Sequence, residues 1–141
     1  MEERLSAKAP DLLLIGRRHL RSNNSWLHNS ARLVKGKRRC TLLIHPKDAE
    51  ARGVTEGEEV RMKSDRGEVH VPVEISDEIM QGVVSLPHGF GHGREGTRMS
   101  VAGAKENAGV SVNDLTDERR VDHLTGNAAL NGVPVEVFRT T

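Results

Sequence analysis

The amino-acid sequence predicts a mainly β fold, a closed or nearly closed barrel, and three observations carry that expectation. Glu68 to Ile75 alternates strictly, placing Val69, Val71, Val73 and Ile75 on one face by the two-residue period of a strand. Comparable short runs, bounded by Gly, Pro, Asn and Asp, recur along the chain and bring the count to about seven strands. Only one or two minor helices interrupt them, too few to supply the crossovers of a parallel α/β sheet.

Taken in order, Met1 to Asp11 is a charged lead-in, extended or a linker, and the domain proper is expected over 12–141. Leu12-Leu13-Leu14-Ile15 reads as a strand buried on both faces and closed by Gly16. Ala31 to Arg39 is a basic linker or frayed helix, and Cys40 to Ile44 is a second strand. A short helical pattern spans Asp48 to Arg52, with Pro46 before it, Asp48 as its cap and Gly53 as its stop. Glu58 to Ser64 is a strand facing inward with Val60 and Met62, and Asp65-Arg66-Gly67 turns the chain into the strand Glu68 to Ile75. Val83 to Leu86 is another strand, followed by the glycine-rich loop Pro87 to His92. Gly93 to Gly109 allows a long loop or a broken helix, Val110 to Val112 a short strand, and Gly132 to Arg139 a final strand built on Val133, Val135 and Val137. The expected core is Leu13, Ile15, Leu42, Ile44, Val60 and Met62, together with Val71, Val73, Val84, Leu86, Val135 and Val137.

Composition narrows the chemistry. A single cysteine, Cys40, excludes an internal disulfide framework and a four-cysteine metal site, so it is expected as a small buried hydrophobe. No apolar run approaches the roughly 20 residues of a membrane helix, and a soluble, reduced, cytoplasmic setting is the expectation. The net charge of +1 conceals an asymmetry, because residues 1–46 carry +7 and the remainder −6. The excess sits in Arg17, Arg18, Arg21 and Arg32, then Lys35, Lys37, Arg38 and Arg39, which calls for an anionic partner such as phosphate or nucleic acid.

Catalytic signatures are scarce. His88 and His92 are four apart but flank glycines that do not sustain a helix, so they read as loop donors and no metal ligand is assigned. There is no nucleophile elbow, no phosphate loop ending in Gly-Lys-Ser/Thr and no G-x-G-x-x-G after a strand. Arg17 to Asn29 instead concentrates Arg, His, Ser and Asn directly after a strand, a donor-rich loop suited to phosphates and heterocycles; the plainer reading is a solvated surface loop, and Trp26 tips the balance toward recognition. Gly89 and Gly91, flanking Phe90, would let backbone amides approach a flat ligand, or simply form a tight turn.

The segments LLLIGRRHLRSNNSWLHN, IHPKDAEARGVTEGEEVRMKSDRGEV, GVVSLPHGFGH and VSVNDLT, in that order, resemble the carboxy-terminal molybdopterin-dinucleotide-binding domain of the dimethyl sulfoxide reductase family of molybdenum and tungsten oxidoreductases, which includes formate dehydrogenases and nitrate reductases. The resemblance implies a six-stranded double-psi β-barrel with short helices and a bound molybdopterin guanine dinucleotide. It assigns Gly16 and Arg17, with the loop from Arg18 through Arg21, Ser22 and Asn23 to Asn24, to the dinucleotide. It assigns His88, Gly89, Phe90 and His92, in the family's Pro-x-Gly-aromatic-Gly segment, and Asn113, in its N-x-L-T segment, to the pterin side. Asn131 falls near a polar position that often completes the site.

The chemistry of these side chains suits those roles. Arg17, Arg18 and Arg21 offer charge-assisted donors to a pyrophosphate, and Asn23, Asn24 and Asn113 present donor and acceptor together to the edge of guanine or pterin. Phe90 could stack on a ring or pack, and Trp26 is expected to pack. The resemblance also implies partners, namely the remaining domains or the catalytic subunit of a molybdenum or tungsten enzyme, and an isolated chain without turnover. Two alternatives are a nucleic-acid-binding barrel, motivated by the basic segment but short of aromatic residues, and a double-psi interaction adaptor.

Overall fold

A computed structural model describes residues 11–140, so the lead-in lies, apart from Asp11, outside the described residues. Six strands close into one barrel: β1 (Leu12–Arg17), β2 (Leu42–Ile44), β3 (Glu59–Lys63), β4 (Glu68–Ile75), β5 (Val83–Pro87) and β6 (Val133–Arg139), joined in the order β1-β5-β2-β4-β3-β6. β1 runs parallel to β5, and β2 parallel to β4, while the other four seams are antiparallel. These two parallel seams, each bridged by a crossing connection, make the double-psi arrangement. The closed ring leaves no unpaired edge.

Burial follows from closure. In β1 the inward positions are Leu12 and Leu14, both fully buried, whereas Ile15 is 36% exposed. The expected inward faces of Leu13 and Ile15 are therefore reversed, and the strand is buried on one face only. Register sets this: Leu12 and Leu14 lie opposite Val135 and Val133 of β6, whose side chains point into the same core. A continuous apolar run concealed the alternation because Leu13 and Ile15 look as apolar as their neighbours. The other ten expected core residues are buried as expected, and Leu115, which the sequence pattern does not single out, joins them.

Other elements shift locally. β1 runs through Gly16 to Arg17, and β2 begins at Leu42 rather than Cys40. Helix α1 (Pro46–Ala51) is capped by His45, whose Nδ1 accepts the Lys47 N–H, while the Asp48 carboxylate turns inward and accepts the Gly82 N–H at 2.7 Å. The Ala31 to Arg39 stretch is a series of turns, and Gly93 to Gly109 contains one short helix, α2 (Lys105–Ala108). The expected strand at Val110–Val112 is absent; a 3₁₀ turn covers Val112–Asp114, and it buries Val112 against the barrel without pairing to any strand.

The register divides the barrel into two poles. β1 and β5 end at the first pole, at Arg17 and Pro87, and the residues before β2 and β6 and the β3–β4 turn lie there too. The opposite pole holds α1, the start of β1 and the end of β6, with Asp11 paired to Arg52 and Arg139 to Glu58.

Candidate functional site

All the long connections, 18–41, 88–111 and 115–132, gather at the first pole. At its centre is Gly16. Its N–H donates to Asn131 Oδ1 at 2.8 Å, and a Cβ there would stand 2.0 Å from His88 Nε2, so only glycine lets the imidazole lie on the strand backbone. Gly16, His88 and Asn131, distant in sequence, thus meet.

The loop after β1 turns back on itself through Asn23 and Asn24, both with positive φ, 43° and 61°, a conformation asparagine tolerates. Arg18 Nη1 donates to Asn24 Oδ1 at 2.7 Å, and the Asn24 side-chain nitrogen has no partner among the described residues. Gly89, with φ +86°, packs on the Asn24 carbonyl so closely that a Cβ would come within 2.2 Å of its oxygen. The two loops are also joined by rings: His28 Nδ1 and His92 Nε2 are 2.9 Å apart, and the His28 ring centroid is 4.1 Å from that of Phe90. Burial holds His28 and His92 below the ordinary histidine range, and their mutual proximity lowers His28 further. His88 is lowered by burial and then by the Arg18 charge. The three imidazoles are therefore neutral near pH 7.

Several expected roles change. Arg17 folds back along the outer wall of the barrel from the strand end: Nη1 donates to the Ser85 carbonyl at 2.5 Å, and Nη2 to the Thr41 carbonyl and Oγ1 at 2.8 and 3.0 Å. Thr41 in turn donates to Glu74 at 2.7 Å. The N–H groups of Gly91 and His92 both donate to the Ala108 carbonyl, so those amides are not offered to a flat ligand. Trp26 does not pack; it is 85% exposed, because the inward positions of its loop are taken by Ser22 and His28. Asn113 sits exposed on the 3₁₀ turn, at the same pole. Arg21 is exposed and donates no side-chain bond among the described residues. Cys40 is buried as expected, its Sγ accepting the Val110 N–H, and burial pushes its pKa up.

Two residues escape a reading of the sequence. His28 is 2% exposed and ties the loops together. Asn29 Oδ1 accepts the N–H groups of both Val101 and Ala102 at 3.0 Å, fixing the 97–104 turns to the first loop. The adjacent pair His28-Asn29 closing a Ser/Asn-rich run was the available signal. No group of three or more His, Cys, Asp and Glu able to hold a metal occurs among the described residues.

Comparison with known proteins identifies the family. The chain is 31% identical over 119 residues to dimethyl sulfoxide reductase DmsA of Escherichia coli (strain K12), an alignment covering 84% of this chain and 14% of that protein. It is 30% identical over 111 residues to a tetrathionate reductase chain of Salmonella typhimurium, covering 68% of this chain and 11% of that one. The chain therefore spans only a small part of the length of these curated relatives. Among solved structures, acetylene hydratase from Pelobacter acetylenicus superposes with a TM-score of 0.74 over 99% of this chain and 19% of its own, at 19% identity, which shows the shared fold. The family described as Molydopterin dinucleotide binding domain matches residues 12–134, and this chain belongs to it.

Proposed function

We propose that this chain is the cofactor-holding domain of a molybdopterin-dependent oxidoreductase, gripping part of a molybdopterin guanine dinucleotide at the first pole. The observation that carries the reading is the convergence of the Arg18–Asn24 loop, the His88–His92 loop and Asn131 around Gly16, in a chain of this family. The residues fit the group. Asn23, the Asn24 amide and Asn113 are unspent polar edges suited to a heterocycle, and Ser22 Oγ and His28 Nε2 are buried without a partner among the described residues. When bound, the cofactor supplies the metal and its redox chemistry. The chain binds and orients it with Arg18, Asn24 and the loops pinned by Gly16, Gly89 and the His28–His92 pair.

The domain occupies 12–141 and stands at the carboxy-terminal end of a larger cytoplasmic enzyme of the formate dehydrogenase or nitrate reductase kind, or is a small subunit beside its catalytic chain, and is inactive alone. The small share of the relatives' length that the chain spans supports its being one part of a larger enzyme.

Calorimetric titration of the chain with GDP and with ADP tests the reading. Saturable binding that prefers GDP is expected. Failure of both nucleotides to bind, together with tight RNA binding that weakens steeply with salt, would replace it with the nucleic-acid barrel that the basic segment alone suggests.

A further inference from the structure

The attachment of Arg17 to the barrel wall leaves a question of charge at the first pole. Its guanidinium is spent on Ser85 and Thr41, so the most obvious cation at the end of β1 is a strut of the barrel wall. Beside it a groove of about 460 Å³, within the roughly 300–1,000 Å³ of small-ligand sites, opens between the His19–Arg21 turn and the strap of turns at 35–39 and runs down the outer wall of the barrel past Leu43 and Glu74 to Glu78. Arg21, Lys35 and Arg38 line it, are exposed, and donate no side-chain hydrogen bond among the described residues. Lys37 also lines it, paired at 3.1 Å with Glu74, and Glu78 is the only other carboxylate in the lining. Cations thus outnumber carboxylates there, and three of them have no counter-ion among the described residues.

We infer that this groove is an anion subsite that receives the phosphate-bearing part of the ligand, with Arg21, Lys35 and Arg38 as its charged donors. The inference rests on the reading of the pole as a dinucleotide site and deepens it. It moves the phosphate contact onto a strap that lies between the family-like segments.

Three features support it. The strap is built, not loose: Arg39 Nη2 donates to the Leu33 carbonyl, and Val34 and Leu33 N–H both donate to the Ser30 carbonyl, so Lys35 and Arg38 are presented from a closed turn. Unpaired cations gathered on one groove repel one another, a cost that a bound dianion removes. His19 completes the lining as a neutral donor. Burial, then the charges of Arg39, Arg17 and Arg21, depress its pKa, and its Nδ1 accepts the Arg21 N–H at 3.3 Å, which leaves the proton on Nε2.

The test is calorimetric titration of the full chain with inorganic pyrophosphate at fixed ionic strength, for the wild type, for Lys35→Ala/Arg38→Ala, and for Lys47→Ala/Lys63→Ala, which removes equal charge elsewhere. Saturation of the wild type is expected, with affinity reduced about tenfold or more in the first variant and less than about twofold in the second. Equal weakening in both variants, or no saturation of the wild type, overturns the subsite. GDP separates the two readings. Competition between GDP and pyrophosphate ties the groove to the dinucleotide. Pyrophosphate binding without such competition keeps the groove and sinks the dinucleotide reading, whereas GDP binding untouched by Lys35→Ala/Arg38→Ala keeps the dinucleotide reading and sinks the groove.

Discussion

Arg17 shows how far a single residue's role depends on where its strand points it. From sequence it stands beside Arg18 and Arg21 as one of three interchangeable phosphate donors. In the barrel it is half-buried, bridges β5 to the residues before β2, and burial pulls its pKa below the ordinary guanidinium value against the opposing field of Glu74. Its fork satisfies two carbonyls and a hydroxyl at once, which an ammonium would not reproduce. Arg17→Ala is therefore expected to lower stability by about 1–3 kcal/mol. Arg17→Lys is expected to restore little of that loss, with both read as urea denaturation midpoints. A midpoint unchanged in Arg17→Ala would return the residue to the surface role its sequence suggested. The residue types of the site were legible, because Arg, Asn and His clustered after a strand are a chemical statement in themselves. Which of them the barrel wall engages was not, since that depends on partners 24 and 68 positions away.

At the scale of elements, the candidate site consists of two loops held at fixed spacing by a few contacts between residues 62 to 65 positions apart. Turn residues announced both loops: Asn23-Asn24 and the glycines around Phe90 were readable as bends. Their mutual attachment through His28, His92 and Gly89 was not, because nothing local marks His28 as buried. The apparent strand at Val110–Val112 failed for a related reason, since two valines around a serine satisfy a packed turn as well as a strand. The histidine pair gives the loop junction a pH dependence. Both pKa values are depressed in the folded chain, so as pH falls below about 6.5 the unfolded chain binds protons that the folded one refuses, and stability drops. If both rings are protonated, two donors face each other and the link is lost. Denaturation midpoints are expected to fall between about pH 7.5 and about pH 5.5 in the wild type, and to fall less in His92→Gln. Equal slopes in the two proteins would remove the pair as the cause.

For the whole molecule, the barrel was legible from strand alternation and from the shortage of helices, while closure and strand order depended on register that no single strand reveals. β1 makes the point. Its four leading residues are all apolar, so only pairing with Val133 and Val135 decides which two enter the core. Leu14→Ala is expected to cost about 2–5 kcal/mol and Ile15→Ala about 1 kcal/mol or less, read by denaturation of both variants. Similar losses would mean that β1 is buried on both faces after all. The two-pole arrangement has a practical corollary. Because β1 starts and β6 finishes on the side away from the loops, a surface tether or fusion partner attached directly before β1 or directly after β6 holds the barrel by its base and leaves the loop-bearing pole facing solution.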